Sequence, residues 1–351
     1  MQNAKRVFFP LDEQLGLKDK RRSEGVLKEM TWLSGAVHSF QEAEEVFARI
    51  GHLHISDSSI WRRKETWGEQ FKEVEEAERK KANTLGSANS FREQALGTEK
   101  RLGVSMDGTM VHIRGEGWKE LKVGCCFDID VFPTWNKGTQ EFEELAHATS
   151  NSYVAHLGRP ERLGELLWTE AMHRGWERAK DRQAIGDAAH WIWKNIVPEH
   201  FYDARQAVDW YHATEHLSDI AQWIHGEETP AAKKWYKAAQ KQLYQGHAQQ
   251  IANQLREIAP TCSGHTEDLE REANFFENNK RRMQYLELRE DGFVIGSGMV
   301  ESGCKQYKAR FCGPGMRWDR DGVERLIPIR SAVMGGCFDA MWKTAYSSPR
   351  K

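Results

Sequence analysis

The chain has 351 residues, of which 39% are hydrophobic and 29% charged, enough for about two domains and a sizeable buried core. Fifty basic against 52 acidic side chains leave a formal charge of -2, which does not advertise a polyanion partner; any nucleic-acid contact must come from local patches. No run of about 18 apolar residues occurs, so no membrane-spanning helix is expected. The start, MQNAKRVFFPLDEQL, lacks the apolar stretch of a signal peptide, so the expected location is the cytoplasm. The six cysteines (125, 126, 262, 304, 312 and 337) contain no CxxC pair, which favours reduced thiols over a disulfide framework or a zinc site. Fourteen tryptophans read as packing anchors between helices rather than surfaces for stacked bases.

In chain order, Gly25 to Phe71 reads as helical. Ser39 to Ile50 has an amphipathic helical pattern that stops at Gly51, and Ser56 or Asp57 then caps a second helix through Ile60, Trp61, Arg62, Arg63 and Lys64. Two helices joined by a Gly-containing turn, the second one basic, resemble a helix-turn-helix. Arg62, Arg63 and Lys64 are its candidate DNA contacts, against the plainer reading of helix packing. Residues 1–75 are therefore expected to be a helical region with DNA-binding character. The charged stretch 76–101, interrupted by Gly and Ser, is expected to be a helical tail and linker.

The period then changes. Leu102 to Met106 is a short apolar run expected to end at Asp107-Gly108, Thr109 to Arg114 alternates like a strand, and Gly115-Glu116-Gly117 makes a turn into the β-rich run from Trp118 to Val131. A third strand is expected at Ser152 to Leu157. Pro160 opens a helix through Trp168, Met172 and Trp176. Gln183 to Asp187 is a short strand ending on an acid, Ala188 to Ile196 a helix, and Ala204 to Val208 another strand ending on an acid, Asp209. Residues 102–212 thus form the first part of an α/β core, and 213–291 an all-helical insertion in which Trp223 and Trp235 read as core. In 292–351, IGSGMVESGCKQYKAR starts a helix near Ser297, a second helix runs from about Arg320 to Met334, and a short tail follows.

In the helix after Ser297, Val300, Cys304, Tyr307 and Phe311 share one face, while Glu301, Lys305 and Lys308 share another. Taken alone, the second face is an ordinary solvated Glu-Lys pair. Asp107 and Asp187, however, each end a short strand, and strand ends on one edge of a sheet can bring them to Glu301. Carboxylates so clustered repel one another unless divalent cations sit between them. Mg²⁺ prefers such oxygen ligands, and two ions can serve the attacking and leaving oxygens of phosphodiester cleavage. The order of strands and helices, with acids at these places, is that of an RNase H-like mixed sheet core.

VSMDGTMVHIRGEGWKELKVG, AIGDAAHWIW, QAVDWYHATEHL and VIGSGMVESGCKQYKARFCGPGMRW, in this order, resemble successive blocks of the ISKra-type bacterial insertion-sequence transposases, relatives of the Mutator-like DDE transposases. The resemblance covers about Phe40 to Trp342. It implies a DDE transposase that cuts transposon ends and joins the new 3′-OH to target DNA, with Asp107, Asp187 and Glu301 as the catalytic, metal-holding acids. Mg²⁺ would be the cofactor, Mn²⁺ its substitute, with two ions expected. The implied partners are double-stranded terminal-repeat and target DNA, a second copy of the chain in a dimer or larger assembly, and no membrane; the implied location is at the nucleoid. Asp209 rivals Asp187 for the second position. Where the Mutator-like group has Cys-x-x-His, this chain has Asp209-Trp210-Tyr211-His212, which leaves Asp209 and His212 as candidate accessory residues. His216 reads as structural, since HATEH lacks the HExxH spacing of a zinc helix. Lys305, Lys308, Arg310, Arg317 and Trp318 join the candidate DNA contacts, while Arg320, Arg325 and Arg330 pair equally well with Asp319, Asp321 and Glu324. Rival functions are a DNA-binding protein that has lost the reaction and a structure-specific nuclease.

Overall fold

The computed structural model describes residues 22–84, 98–136, 140–262 and 264–348; residues 85–97 of the expected linker lie outside them. The chain is mixed α/β. Strands β1 (Thr98–Ile113), β2 (Gly117–Asn136), β3 (Glu141–His156), β4 (Ala179–Gly186) and β5 (Arg205–Val208) form one sheet in the order β3-β2-β1-β4-β5. β2 and β3 run antiparallel, whereas β1, β4 and β5 run parallel. Leu121 to Phe127 is buried without interruption, the pattern of a strand covered on both faces.

Four strands are longer than the sequence pattern predicts: β2 runs on to Asn136 and β4 already begins at Ala179, and the other two differ more. β1 does not stop at Asp107 but runs on to Ile113, because β2 continues to pair with it after β4 has ended. β3 begins at Glu141, not Ser152, because its polar first half is held by backbone pairing to β2 from Asn136↔Glu141 to Asp128↔Thr149. Apolar periodicity does not mark such a segment.

The helices are α1 (Glu24–Ala36), α2 (Phe40–Arg49), α3 (Asp57–Ala82), α4 (Pro160–His173), α5 (Val197–His200), α6 (Trp210–His225), α7 (Pro230–Tyr244), α8 (Ala248–Ile258), α9 (Thr266–Asn279), α10 (Tyr285–Glu290), α11 (Gly298–Phe311), α12 (Arg320–Met334) and α13 (Phe338–Ser347). α4 ends before Trp176 because Gly175 takes φ 90°, a left-handed position that stops the helix. The turn from Ile192 to Ile196 is π-helical. The expected short tail is in fact α13, whose Phe338, Trp342 and Ala345 are buried. None of the described helices is long and apolar enough to cross a membrane.

The chain divides into two compact units whose segments alternate in sequence. Of the described residues, the first takes those up to 77, in 111–119 and from 307 on; the second takes those in 78–110 and 120–306. The expected boundaries differ from this. The helices of 213–291 belong to the same unit as the sheet, and α12 and α13 to the same unit as α1 and α2.

In the first unit the core gathers Met30, Leu33, Ala43, Phe47, Ile55 and Ile60, with α1 packed on α12. Trp67 packs on Trp342 at 4.3 Å and on Tyr346 at 5.6 Å between ring centres. The carbonyls at the end of α1 lack helical partners and are met by two buried arginines: Arg310 donates to Ser34 O (3.0 Å) and His38 O (3.2 Å), and Arg330 to Gly35 O (2.7 Å) and Ala36 O (3.0 Å). In the second unit α4 packs on β3, and α11 lies against β2 and β3 at Gly303. A Cβ there would stand 2.6 Å from the Tyr153 ring, so only glycine permits this approach.

Candidate active site

The second unit brings the sequence-predicted acids toward one place. In the parallel register of β1 with β4, Met106 pairs with Gly186, so Asp107 and Asp187 follow paired positions on adjacent strands. In the register of β4 with β5, Gly186 pairs with Val208, and the Asp209 N–H donates to Gly186 O at 2.8 Å. Three acids thus stand at one level of three neighbouring parallel strands, Asp107 within β1 and Asp187 and Asp209 just past the ends of β4 and β5.

Their partners separate them. Asp209 is 2% exposed, and both of its carboxylate oxygens accept backbone N–H groups. Oδ1 takes His212 N at 2.7 Å, capping α6, and Oδ2 takes Ser297 N, tying down the residue before α11. Asp209 is an internal clamp. Asp187 is half-buried and accepts one such bond, from Ala189 N to Oδ1 at 2.9 Å. Burial raises its pKa above the usual aspartate value; the Ala189 bond and nearby His212 oppose the rise, while the charges of Asp107 and Glu120 add to it. Asp107 Oδ1 accepts Gly108 N at 2.6 Å.

α11 supplies the rest. Cys304, 6% exposed, has its thiol pushed up first by burial and then by Asp107, Glu301 and Asp187, whose fields all reach it. Glu301, one turn earlier, has a 46% exposed side chain and faces Lys305 at 3.5 Å, the i,i+4 pair expected of a solvated helix face. Glu120 of β2 completes the acidic group; a Cβ on Gly108 would meet its Oε1 at 2.4 Å, and its Oε2 pairs with Lys122 at 2.5 Å. Neither Glu120 nor Cys304 was singled out for this site from sequence. Glu120 lies in an unremarkable strand start, and only the β1-β2 pairing reveals it; Cys304 reads as one more apolar helix position.

The donor chemistry, all carboxylate oxygen, suits a hard divalent cation. As the side chains stand, no three His, Cys, Asp or Glu among the described residues converge tightly enough to hold a metal ion. Glu301 points to Lys305, and Asp107 and Asp187 each bond a local N–H. A closed three-ligand site would require Glu301 to leave Lys305.

Beside Asp187, His212 Nε2 lies 3.3 Å from His216 Nε2, and His216 Nδ1 meets buried Glu272 at 2.6 Å while its ring stacks on Phe275 at 3.9 Å. His216 is the packed, hydrogen-bonded residue its spacing predicts. Trp223 and Trp235 are half-buried rather than core; the ring of Trp223 stacks on His265 at 5.6 Å.

The candidate DNA contacts divide by burial. Arg62, Lys305, Lys308 and Arg317 are exposed and Arg63 is half-buried. Lys64 is fully buried, donating to Gly322 O at 3.2 Å and pairing with Glu65. Arg310 is 1% and Trp318 8% exposed. These three are interior residues of the first unit and present no charge to a surface groove. Arg320 pairs with Glu116 (2.5 Å) and Glu324 (3.6 Å), and Arg325 with Glu65 (2.7 Å), Glu69 (3.0 Å) and Asp321 (3.7 Å), as the helix-surface reading expects in kind.

The sequence matches no protein-family model and no curated protein.

Proposed function

We propose that the chain is a DDE transposase with an RNase H-like core. The observation that carries this reading is the parallel register of β1 and β4, which puts Asp107 beside Asp187. The strand order β3-β2-β1-β4-β5, a mixed sheet with an antiparallel β2-β3 pair and a parallel β1-β4-β5 half, supports the proposed RNase H-like core. Asp107 and Asp187, with Glu301 turned from Lys305, would hold Mg²⁺. When bound, the metal supplies Lewis-acid stabilisation of the attacking and leaving oxygens of a phosphodiester. The protein's own part is placement. Asp209 locks the start of α6 to the start of α11, which fixes His212 and Glu301 relative to the sheet. The DNA partner, the assembly of at least two copies and the nucleoid location follow from the same reading, because two transposon ends must be cut together.

The test is Mg²⁺-dependent cleavage and joining of a terminal-repeat duplex. Asp107→Asn, Asp187→Asn and Glu301→Gln should each lower cleavage by more than about 100-fold, since loss of even an outer-shell partner of a metal ligand costs about 10–100-fold. Full activity of Glu301→Gln would sink the assignment. Cleavage without joining would make the protein a nuclease, and DNA binding without cleavage a protein that has lost the reaction.

A further inference from the structure

His212 and His216 lie one turn apart on α6, and their Nε2 atoms stand 3.3 Å from each other. What HATEH lacks of a zinc helix is the glutamate after the first histidine; the two histidines keep the i,i+4 step that lets a pair of imidazoles share one ion. The distance carries the point further. Two nitrogens on one tetrahedral zinc, each about 2.0–2.1 Å from the metal, stand about 3.3–3.4 Å apart. For a single proton held between two nitrogens, 3.3 Å is long.

The surroundings hold both rings in place. Asp209 caps α6, its Oδ1 accepting His212 N at 2.7 Å. The His216 ring stacks on Phe275 at 3.9 Å, and its Nδ1 meets Oε2 of Glu272, a residue 5% exposed, at 2.6 Å. A buried carboxylate there keeps the proton on Nδ1 and leaves the Nε2 lone pair facing His212. Metal-bound histidines have this same outer partner, which raises the basicity of the ligating nitrogen. Glu215 stands near the other ring, its Oε2 3.9 Å from His212 Nδ1. The two histidine side chains are 36% and 25% exposed, so the pair is open to solvent.

No group of three His, Cys, Asp or Glu side chains able to hold an ion forms among the described residues, so a metal on this pair has two protein ligands and keeps water in its other positions. Imidazole nitrogen suits zinc and its first-row neighbours, whereas Mg²⁺ takes oxygen. We propose that His212 and His216 together bind one zinc-class divalent ion, with Glu272 orienting His216. The site uses none of the carboxylates proposed to hold Mg²⁺ and does not rest on that reading.

The test is titration calorimetry of the full chain with Zn²⁺ in excess Mg²⁺, which occupies oxygen sites. The expected result is zinc binding that Mg²⁺ does not displace and that His212→Gln and His216→Gln each abolish. Glu272→Gln should weaken it about 10–100-fold, the cost of losing an outer partner of a metal ligand. His216 and Glu272 also pack inside the fold, so melting in metal-free buffer accompanies each variant, and His212→Gln, at the more exposed position, decides if the others do not fold. Absence of zinc binding overturns the proposal and leaves the pair sharing only a proton. Zinc binding unchanged in either folded histidine variant also overturns it, as does binding lost in Asp187→Asn and kept in His212→Gln, which puts the ion on the carboxylates. Parent affinity in Glu272→Gln overturns the orienting role.

Discussion

Asp187 and Asp209 are the same residue type at the same level of adjacent strands, and hydrogen bonding alone divides their tasks. With both oxygens on backbone N–H groups and 2% exposure, Asp209 is engaged inside the fold, whereas Asp187 keeps one oxygen free of backbone bonds. Asp209→Ala removes a helix cap and orphans the Ser297 N–H, so it should destabilise the chain by about 2–4 kcal/mol in denaturant titration. Asp187→Ala should cost far less stability. Lys64 and Arg62, two residues apart, are a second contrast. Lys64→Ala should cost about 2–4 kcal/mol, because it removes a buried stem and strips Glu65 and Gly322 O of a donor. Arg62→Ala, at an exposed position, should stay within about 0.5 kcal/mol. Equal effects of the two substitutions would mean that Lys64 is not the interior residue described.

Among the elements, α11 is set by what it can approach. Gly303 against Tyr153 lets the helix settle on the sheet beside Cys304. Gly303→Ala should cost about 1–3 kcal/mol through overpacking and lower activity through the displaced helix, measured by melting and by the cleavage assay. At the end of α5, His200 packs against Gly164 of α4 and faces Trp168 at 6.1 Å. Burial holds its pKa below the ordinary histidine value, against the raising influence of Glu199 and Glu165. The unfolded chain therefore takes up this proton first. The contribution of His200 to stability is complete above the unfolded pKa of about 6.5 and is lost as pH falls from there toward the lower folded value. His200→Gln should show a smaller drop in unfolding midpoint between pH 7.5 and 5.5 than the parent chain; an identical drop would assign the acid sensitivity elsewhere.

For the molecule as a whole, the two units are each assembled from segments distant in sequence, so neither is a stretch of chain that could be cut out intact. A truncation at residue 75, the boundary suggested by composition, would separate α1 and most of α3 from α12 and α13, with which they share a core. If the acids hold Mg²⁺ as proposed, added Mg²⁺ should raise the melting temperature of the parent chain by mass action. It should do so much less in Asp187→Asn. A shift of equal size in both would place the ion elsewhere.

Short-range pattern was enough for much of this protein. Apolar spacing located α2 and α12 and gave the helical character of 213–291 without its separate helices, and apolar runs located β4 and β5, because these elements bury a face whose period is written locally. Asp187 was legible as a strand-end residue and Glu301 as a helix-start residue, whereas Asp107, expected at a strand end, lies within β1. Tertiary structure decided what depends on pairing and burial across long separations. The polar half of β3 exists because β2 hydrogen-bonds to it, and β1 passes through Asp107 because β2 outlasts β4. Glu120 reaches Gly108, and α11 the sheet at Tyr153, only through strand pairing and a glycine contact. Lys64 and Arg310, surface cations by composition, are interior because backbone carbonyls of distant segments accept their hydrogen bonds. A residue's own type and spacing fix which interactions it can make; only the folded chain determines which partner arrives.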